Sequence, residues 1–415
     1  MSAAIVTAVF IAALIVSGTL RVWLALRQMR HVSAHRERVP AEFADSVTLD
    51  EHRKAADYSV AKTRLFLVEF GVDVLLLLAL TLGGLLQWFD TTLAGLLDGR
   101  GYAYGLLLFA CFGIVGFLVG LPFSLYRIFV LEARFGFNKT TPALFLADLA
   151  KSTVLSVVIG GPVLFAVLWL MAAMGERWWL YVWLFWLGFN LLVMLLYPTL
   201  IAPLFNKFSP LENPELKARI EALLARCGFA ASGLFVMDGS RRSAHGNAYF
   251  TGFGKSRRIV FFDTLLEKLA PAEIEAVLAH ELGHFKRRHL WKRIALMAVV
   301  SLLLLRLLAW LMTEPGFHAG LGVAEPSTAM ALILFSLVMP LFSLPLAPLT
   351  SALSRRHEYE ADAYAAQQSS ANELVTALVK LYRDNAATLT PDPLHSLFYD
   401  SHPPASLRIA RLRAQ

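Results

Sequence analysis

Apolar runs of about 20 residues recur along the chain and constrain its fold more than any other feature. A helix needs about 20 apolar residues to cross the hydrocarbon core of a bilayer, which is roughly 30 Å thick. Hydrophobic residues make up 57% of the 415 residues and charged residues 17%, against about 45–50% and about 25% in soluble proteins. The runs lie at Ala4–Leu24, Leu65–Trp88, Ala103–Leu125, Val154–Met174, Trp178–Ile201, Ile294–Met312 and Ala329–Leu349. The sequence therefore predicts an all-α multi-pass membrane protein with seven transmembrane helices.

The charged residues fit this class better than a nucleic-acid-binding one. The first run has no Lys or Arg before it and no small-residue cleavage pattern after it, so it is interpreted as a retained span. The net charge of +7 comes from loops on one side of the membrane. Two cysteines, Cys111 and Cys227, are too few for a disulfide framework. We expect a lipid bilayer and no nucleic acid among the partners.

Lys and Arg alternate between strongly and weakly basic connections. Eight lie between the first two runs, the next connection holds only Arg100, and 202–293 is rich in both while 314–328 has neither. Because basic loops stay in the cytoplasm, the pattern places the N-terminus outside and the C-terminus inside. The predicted segments are a membrane region (1–201), a cytoplasmic catalytic region (202–293), two further spans (294–349) and a C-terminal catalytic region (350–415).

Three ionisable residues fall inside the predicted spans. Glu69 and Asp73 are spaced i, i+4 in the second run, and Arg306 is in the middle of the sixth. Charges at that depth are costly, so we expect them to face a polar interior or one another. The alternative is that the second span begins later than Leu65 and that Glu69 lies at the interface.

The segment Pro271–His289 carries the strongest chemical motif. Apolar residues at Ile274 and at offsets of 3, 4 and 8 residues predict a helix that begins at Pro271. On that helix His280 and His284 lie one turn apart on the same face, as two zinc ligands must, and Glu281 is placed to act as general base. Two surface histidines on an amphipathic helix remain the alternative.

A catalytic zinc usually has three protein ligands and an open position, and Glu358 is the candidate for the third. His284 lies ten residues before Ile294 and Glu358 nine residues after Leu349, so two membrane crossings return the chain to the same side. Asp362, one helical turn further, could accept a hydrogen bond from a ligand histidine. Alternatively, Glu358 and Asp362 belong to a solvated charged face.

Several motifs in a fixed order resemble the Ste24 family of type I CAAX prenyl proteases, which are membrane zinc metalloendopeptidases. They are RFGFNKTT (134–141), YPTLIAPLFNKFSPL (197–211), SAHGNAYFTGFGKSRRIVFFDTLL (243–266), HELGH (280–284), SRRHEYEAD (354–362) and SHPPASLRI (401–409). The resemblance implies seven helices around a water-filled chamber and a mostly helical HExxH domain with a small β-sheet. It also implies that Asn247 contacts the substrate backbone, that His402 stabilises the oxyanion, and that Arg408 supports the site.

The predicted activity is hydrolysis of peptide bonds near the C-terminus of substrates, which can include prenylated ones, with one zinc ion per chain. The segment His245–Ile259 alternates and is predicted to form a strand or hairpin whose edge could hold an extended peptide. The alternatives are a quality-control protease of the HtpX type, from a family with fewer spans, and a non-catalytic chamber that binds lipidated or misfolded chains. We expect the inner membrane of a bacterium, or the endoplasmic reticulum of a eukaryote, with the site facing the cytoplasm.

Overall fold

The computed structural model describes residues 1–230, 232–251 and 258–414. Within these ranges the chain is mainly helical. The helices of the first half are α1 (Ala3–Ala34), α2 (Leu49–Leu80), α3 (Leu85–Leu96), α4 (Tyr102–Tyr126), α5 (Pro142–Leu155), α6 (Gly161–Ala173), α7 (Trp178–Leu196) and α8 (Ala202–Phe205). Single π-helical stretches follow α4, α5 and α7 and continue those helices, at Arg127–Glu132, Ser156–Gly160 and Tyr197–Ile201.

The second half combines further helices with one small sheet. Its helices are α9 (Pro214–Arg226), α10 (Asp263–Leu266), α11 (Pro271–Lys286), α12 (His289–Leu311), α13 (Gly316–Gly320), α14 (Thr328–Ser343), α15 (Ala347–Gln368), α16 (Ala371–Asp384), α17 (Pro393–Tyr399) and α18 (Ala405–Arg413). Its strands are β1 (Phe208–Pro210), β2 (Gly233–Met237), β3 (Ala248–Thr251) and β4 (Arg258–Phe262).

Six continuous helical stretches of the described chain are long and apolar enough to cross a membrane. The pair α2 and α3 makes a seventh if it counts as one span, although it is bent by 47°. This agrees with a multi-pass membrane protein. The predicted second span, Leu65–Trp88, is wrong in detail, because the helix ends at Leu80. Gly84 adopts φ +78°, a conformation that glycine tolerates and that ends one helix before the next begins.

Two of the three ionisable residues predicted in the spans, Glu69 and Arg306, contact a residue of another helical segment. Arg127 donates from Nη2 to a carboxylate oxygen of Glu69 at 2.6 Å, and the guanidinium of Arg306 lies 5.8 Å from the ring centre of Trp179. Because α2 begins at Leu49, Glu69 lies well inside the helix and not at its start. Because Arg127 directly follows the third predicted span, Ala103–Leu125, and is half exposed, the pair is consistent both with charges that face one another and with the alternative of an interfacial Glu69.

The sheet has the strand order β1-β2-β4-β3, with β2 and β4 parallel and the outer pairs antiparallel. β3 and β4 form the predicted hairpin, in which Ala248 lies opposite Phe261 and Thr251 opposite Arg258. Residues 252–257 of that prediction lie outside the described residues. Since β3 is at the edge of the sheet, one side of its backbone has no strand partner among the described residues.

The part of the chain predicted to be catalytic has its own apolar core, separate from the one between the spans. Fully buried side chains of α9, β4 and α11 meet there, including Ile220, Ile259 and Leu278. Phe43 and Val47, from the connection between α1 and α2, are buried in the same core. The first loop of the membrane region therefore contributes to the packing that positions the site.

Candidate active site

Helix α11 presents His280 and His284 from one face. Pro271 occupies the first turn, and Glu273 accepts a hydrogen bond from the backbone N–H of Ala270 at 2.7 Å, which fixes where the helix begins. The Nε2 atoms of the two histidines lie 3.2 Å apart. The predicted one-turn spacing thus turns both imidazoles toward a single point.

Helix α15 brings Glu358 to that point. A carboxylate oxygen of Glu358 lies 3.4 Å from Nε2 of His280, and the other lies 3.3 Å from Nε2 of His284. The two helices approach closely because residue 283 is glycine. A Cβ on Gly283 would lie 2.9 Å from the Cα of Ala361. The return of the chain after two spans, inferred from the sequence, does place Glu358 beside the histidines.

These three side chains fit a tetrahedral metal ion. Ligand atoms at about 2.0–2.1 Å from a tetrahedral zinc are separated from each other by about 3.3–3.4 Å, close to the three separations measured here. Glu358 is 5% exposed, and its Oε2 atom has no hydrogen-bond partner among the described residues. A buried carboxylate whose two oxygens each face an imidazole nitrogen, one of them without a hydrogen bond in the described part of the chain and 3.7 Å from Nη1 of Arg408, indicates a cation-binding site.

Asp362 and Arg408 hold His280 from behind. Nδ1 of His280 donates to Asp362 Oδ1 at 2.9 Å. Arg408, 5% exposed, donates to both carboxylate oxygens of Asp362 at 2.8 and 2.6 Å. Burial lowers the pKa of His280, but Asp362 and Glu358 outweigh it and raise that pKa to about 9. The carboxylate fixes the ring so that Nε2 faces the cluster.

His284 has a corresponding partner that the sequence analysis missed. Its Nδ1 lies 3.0 Å from Nδ1 of His289, whose Nε2 lies 3.0 Å from Glu360. With Nε2 of His284 turned to the cluster, Nδ1 carries the proton and donates to His289, which in turn donates to Glu360. The sequence did not indicate this contact, because two residues five positions apart, such as His284 and His289, do not lie on the same face of a helix. Arg288 interrupts the helix with φ +57° and turns His289 back.

The remaining predicted residues surround a cavity of about 200 Å³ beside the cluster. Asn247, Glu281, His402 and Arg408 all line it. Nε2 of His402 lies 3.5 Å from Glu358, and its Nδ1 lies 3.0 Å from Oγ of Ser401. Desolvation lowers the pKa of His402 more than the Glu358 carboxylate raises it, so the ring is neutral near pH 7. A neutral ring that accepts from Ser401 through Nδ1 carries its proton on Nε2, which can donate into the cavity.

Comparison with protein families finds two matches that together span most of the chain. The model described as CAAX prenyl protease N-terminal, five membrane helices, matches residues 28–207. The model of peptidase family M48 matches residues 210–415. The metal-binding cluster and the cavity beside it lie within the second match.

Two curated proteins and one solved structure are similar over about 70% of the chain or more. The CAAX prenyl protease 1 homolog of Arabidopsis thaliana is 35% identical over 97% of this chain and 95% of its own. CAAX prenyl protease 1 of Saccharomyces cerevisiae is 38% identical over 71% of this chain and 69% of its own. The crystal structure of S. mikatae Ste24p matches with a TM-score of 0.91 at 32% identity, covering 98% of this chain and 99% of that one.

Proposed function

Because the chain belongs to peptidase family M48, as a multi-pass membrane metalloendopeptidase of the CAAX prenyl protease type, we propose that it uses zinc to hydrolyse peptide bonds near the C-terminus of its substrates. The observation that carries the proposal is the convergence of His280, His284 and Glu358 at separations of 3.2–3.4 Å, with Glu281 on the same helix. A His₂Glu set favours zinc over harder cations, which take oxygen ligands.

A zinc ion held by His280, His284 and Glu358 would supply Lewis-acid activation, which lowers the pKa of a water molecule to about 7. Glu281 takes the proton of the attacking water and later delivers it to the leaving amine. His402 donates from Nε2 to the carbonyl oxygen as negative charge develops there. Asn247, beside the edge strand β3, binds the substrate backbone. Asp362 and Arg408 keep His280 in its liganding orientation.

The substrate class is a peptide or protein whose C-terminal segment reaches the cavity, including chains that carry a prenyl group. The basic loops support a site that faces the cytoplasm, from the inner membrane of a bacterium or from the endoplasmic reticulum of a eukaryote. The N-terminal match to a domain of five membrane helices favours this proposal over the shorter HtpX-type quality-control protease. The presence of a complete base, ligand set and donor disfavours a chamber that only binds.

The test combines zinc content with cleavage of a fluorogenic farnesylated CAAX peptide by the purified protein in detergent. We expect one zinc per chain and turnover in the wild type. Glu281→Gln should retain zinc and lose turnover by at least about 10²-fold, since a general base contributes about 10²–10⁴.

The matched control is Glu275→Gln on the same helix, where Glu275 pairs with Arg219 and Arg226 at the surface, at 3.0 and 2.8 Å. This variant should cleave like the wild type. Turnover retained in Glu281→Gln would contradict the assigned base, and zinc without turnover in the wild type would contradict the substrate class.

A further inference from the structure

A second, larger cavity adjoins the catalytic one. Its volume is about 690 Å³, and it lies between helix α2 and the C-terminal part of the catalytic region. Leu378, Leu381, Asn385, His402 and Arg408 line both cavities. Together the two cavities lead from the first residues of β3, past Asn385, to the side chains of α2.

A peptide bound along β3 would enter this larger cavity with its C-terminal end. β3 runs from Ala248 to Thr251 at the sheet edge, and the catalytic cavity lies at its beginning, next to Gly246 and Asn247. Antiparallel pairing, the more stable arrangement, makes the bound chain run in the opposite direction to β3. The residues after the cleaved bond therefore extend beyond Asn247, toward α2.

Asn385 fixes the position of the loop that precedes β3. Its Oδ1 lies 3.1 Å from Nδ1 of His245 and accepts from the backbone N–H of Gly246 at 3.3 Å. Ala386, the next residue, has φ +44°, which an L-residue rarely adopts. Asn385 lines both cavities and Ala386 lines the larger one, so this turn lies where the two cavities meet.

One ammonium group in the larger cavity has no charged partner. Lys62, on α2, lines the cavity, and within the described part of the chain it makes no ion pair within 4.0 Å. Its Nζ lies 4.2 Å from the ring centre of Tyr58. The nearby carboxylate of Glu132 is engaged elsewhere: it accepts from the hydroxyl of Tyr58 at 2.5 Å and lies 3.6 Å from His245.

Two other basic side chains of this cavity are either paired with a carboxylate or uncharged. Arg408 is bound to Asp362 through two hydrogen bonds, and burial lowers the pKa of His395, which keeps that ring neutral. Lys62 is thus the cation available to a negatively charged ligand that enters from the catalytic side.

We propose that Lys62 binds the free α-carboxylate of the substrate. The length of the larger cavity would then set the distance between the C-terminus and the cleaved bond. This rests on the proposed function, since it assigns a binding site to the C-terminal end of the same peptide. A carboxylate at the end of an extended segment and an ammonium group without an ion-pair partner among the described residues form a charge-assisted hydrogen bond. Such a site would fix the position of the cleaved bond relative to the C-terminus of the substrate.

The test uses two farnesylated peptides of identical sequence, one ending in a free carboxylate and the other in a carboxamide. Binding is measured by fluorescence anisotropy to the Glu281→Gln protein, and cleavage is measured with active protein. We expect the acid to bind about 10- to 100-fold more tightly than the amide. This ratio corresponds to the free energy that a hydrogen bond to a charged group typically contributes to binding. The same ratio should appear in KM, with kcat nearly equal for the two peptides.

Lys62→Met should bring the ratio close to 1, and Lys62→Arg should restore most of it. Lys54→Met is the matched control, because Lys54 lies on the same helix over the ring of Phe137 at 5.0 Å but does not line the cavity. It should keep the wild-type ratio.

Equal binding of acid and amide, or an unchanged ratio in Lys62→Met, would overturn the carboxylate site. Neither result depends on turnover. Failure of the proposed function would instead appear as zinc-loaded wild-type protein that cleaves neither peptide, while the binding ratio still decides the role of Lys62.

Discussion

The buried pair of Arg408 and Asp362 allows the stability of the catalytic region to be separated from its metal affinity. The two residues are 5% and 2% exposed and share two hydrogen bonds, at 2.8 and 2.6 Å. Arg408→Met removes the guanidinium but keeps an apolar side chain of similar length. Breaking one half of a buried ion pair costs about 3–5 kcal/mol, because the remaining charge stays buried. At about 2–4 °C per kcal/mol for a region of this size, the unfolding midpoint should fall by about 6–20 °C.

The double variant Arg408→Met/Asp362→Leu removes the uncompensated charge. Replacing a buried ion pair with apolar side chains is often neutral or stabilising, so the midpoint should return close to that of the wild type. Zinc affinity should not return, because His280 has lost the carboxylate that orients it at 2.9 Å. Loss of such a partner typically weakens metal binding by about 10–100-fold.

The assay is thermal unfolding of the metal-free protein in detergent, followed by a thiol-reactive dye, with zinc affinity measured separately by competition with a chelator. Cys227 is buried in the catalytic core, so in a C111S background its reaction reports unfolding of this region. Metal-free protein is used because bound zinc would itself raise the midpoint. A double variant that recovered both stability and zinc affinity would refute the orienting role of Asp362.

Two further substitutions test how the ligand helices are positioned. Gly283→Ala should force α11 and α15 apart, since its Cβ would lie 2.9 Å from Ala361; we expect a loss of about 1–3 kcal/mol together with weaker zinc binding. Gly188→Ala is the control, in a helix where a Cβ would meet nothing within 4 Å, and similar losses in both variants would contradict the argument. His289→Ala should weaken zinc binding by about 10–100-fold by removing the partner of His284, and His289→Gln should restore part of it; unchanged zinc affinity in the alanine variant would show that His289 only fills space.

The metal cluster could be predicted from sequence because each of its determinants is local or topological. The spacing of His280 and His284 follows from the helical repeat. The approach of Glu358 follows from two membrane crossings, which depend only on counting spans. The bend at Gly84 was missed because the apolar run continues through it, and hydropathy records composition and not backbone angles. The partner of His284 was missed for a related reason, since Arg288 changes the direction of the chain between two helices.

Contacts between distant segments could not be predicted from sequence, and they join the first helix to the segment that carries His402. Arg27, at the end of the first span, donates to both carboxylate oxygens of Asp392, at 3.1 and 2.8 Å. The adjacent Gln28 accepts from the backbone N–H of Asp392 at 2.8 Å. Asp392 in turn caps α17, which leads to His402. Nothing in the basic connection around Arg27 distinguishes these residues from ordinary cytoplasmic charges.

It follows that the segment carrying His402 and Arg408 takes its position in part from the first membrane helix. Phe43 and Val47 reinforce this by filling the catalytic core from the loop that follows that helix. The membrane region therefore does more than anchor a separate protease: it supplies part of the catalytic core and one wall of the larger cavity. A substrate segment bound as proposed would therefore lie beside the ends of α1 and α2 that meet the catalytic core, where Lys62 lines the larger cavity.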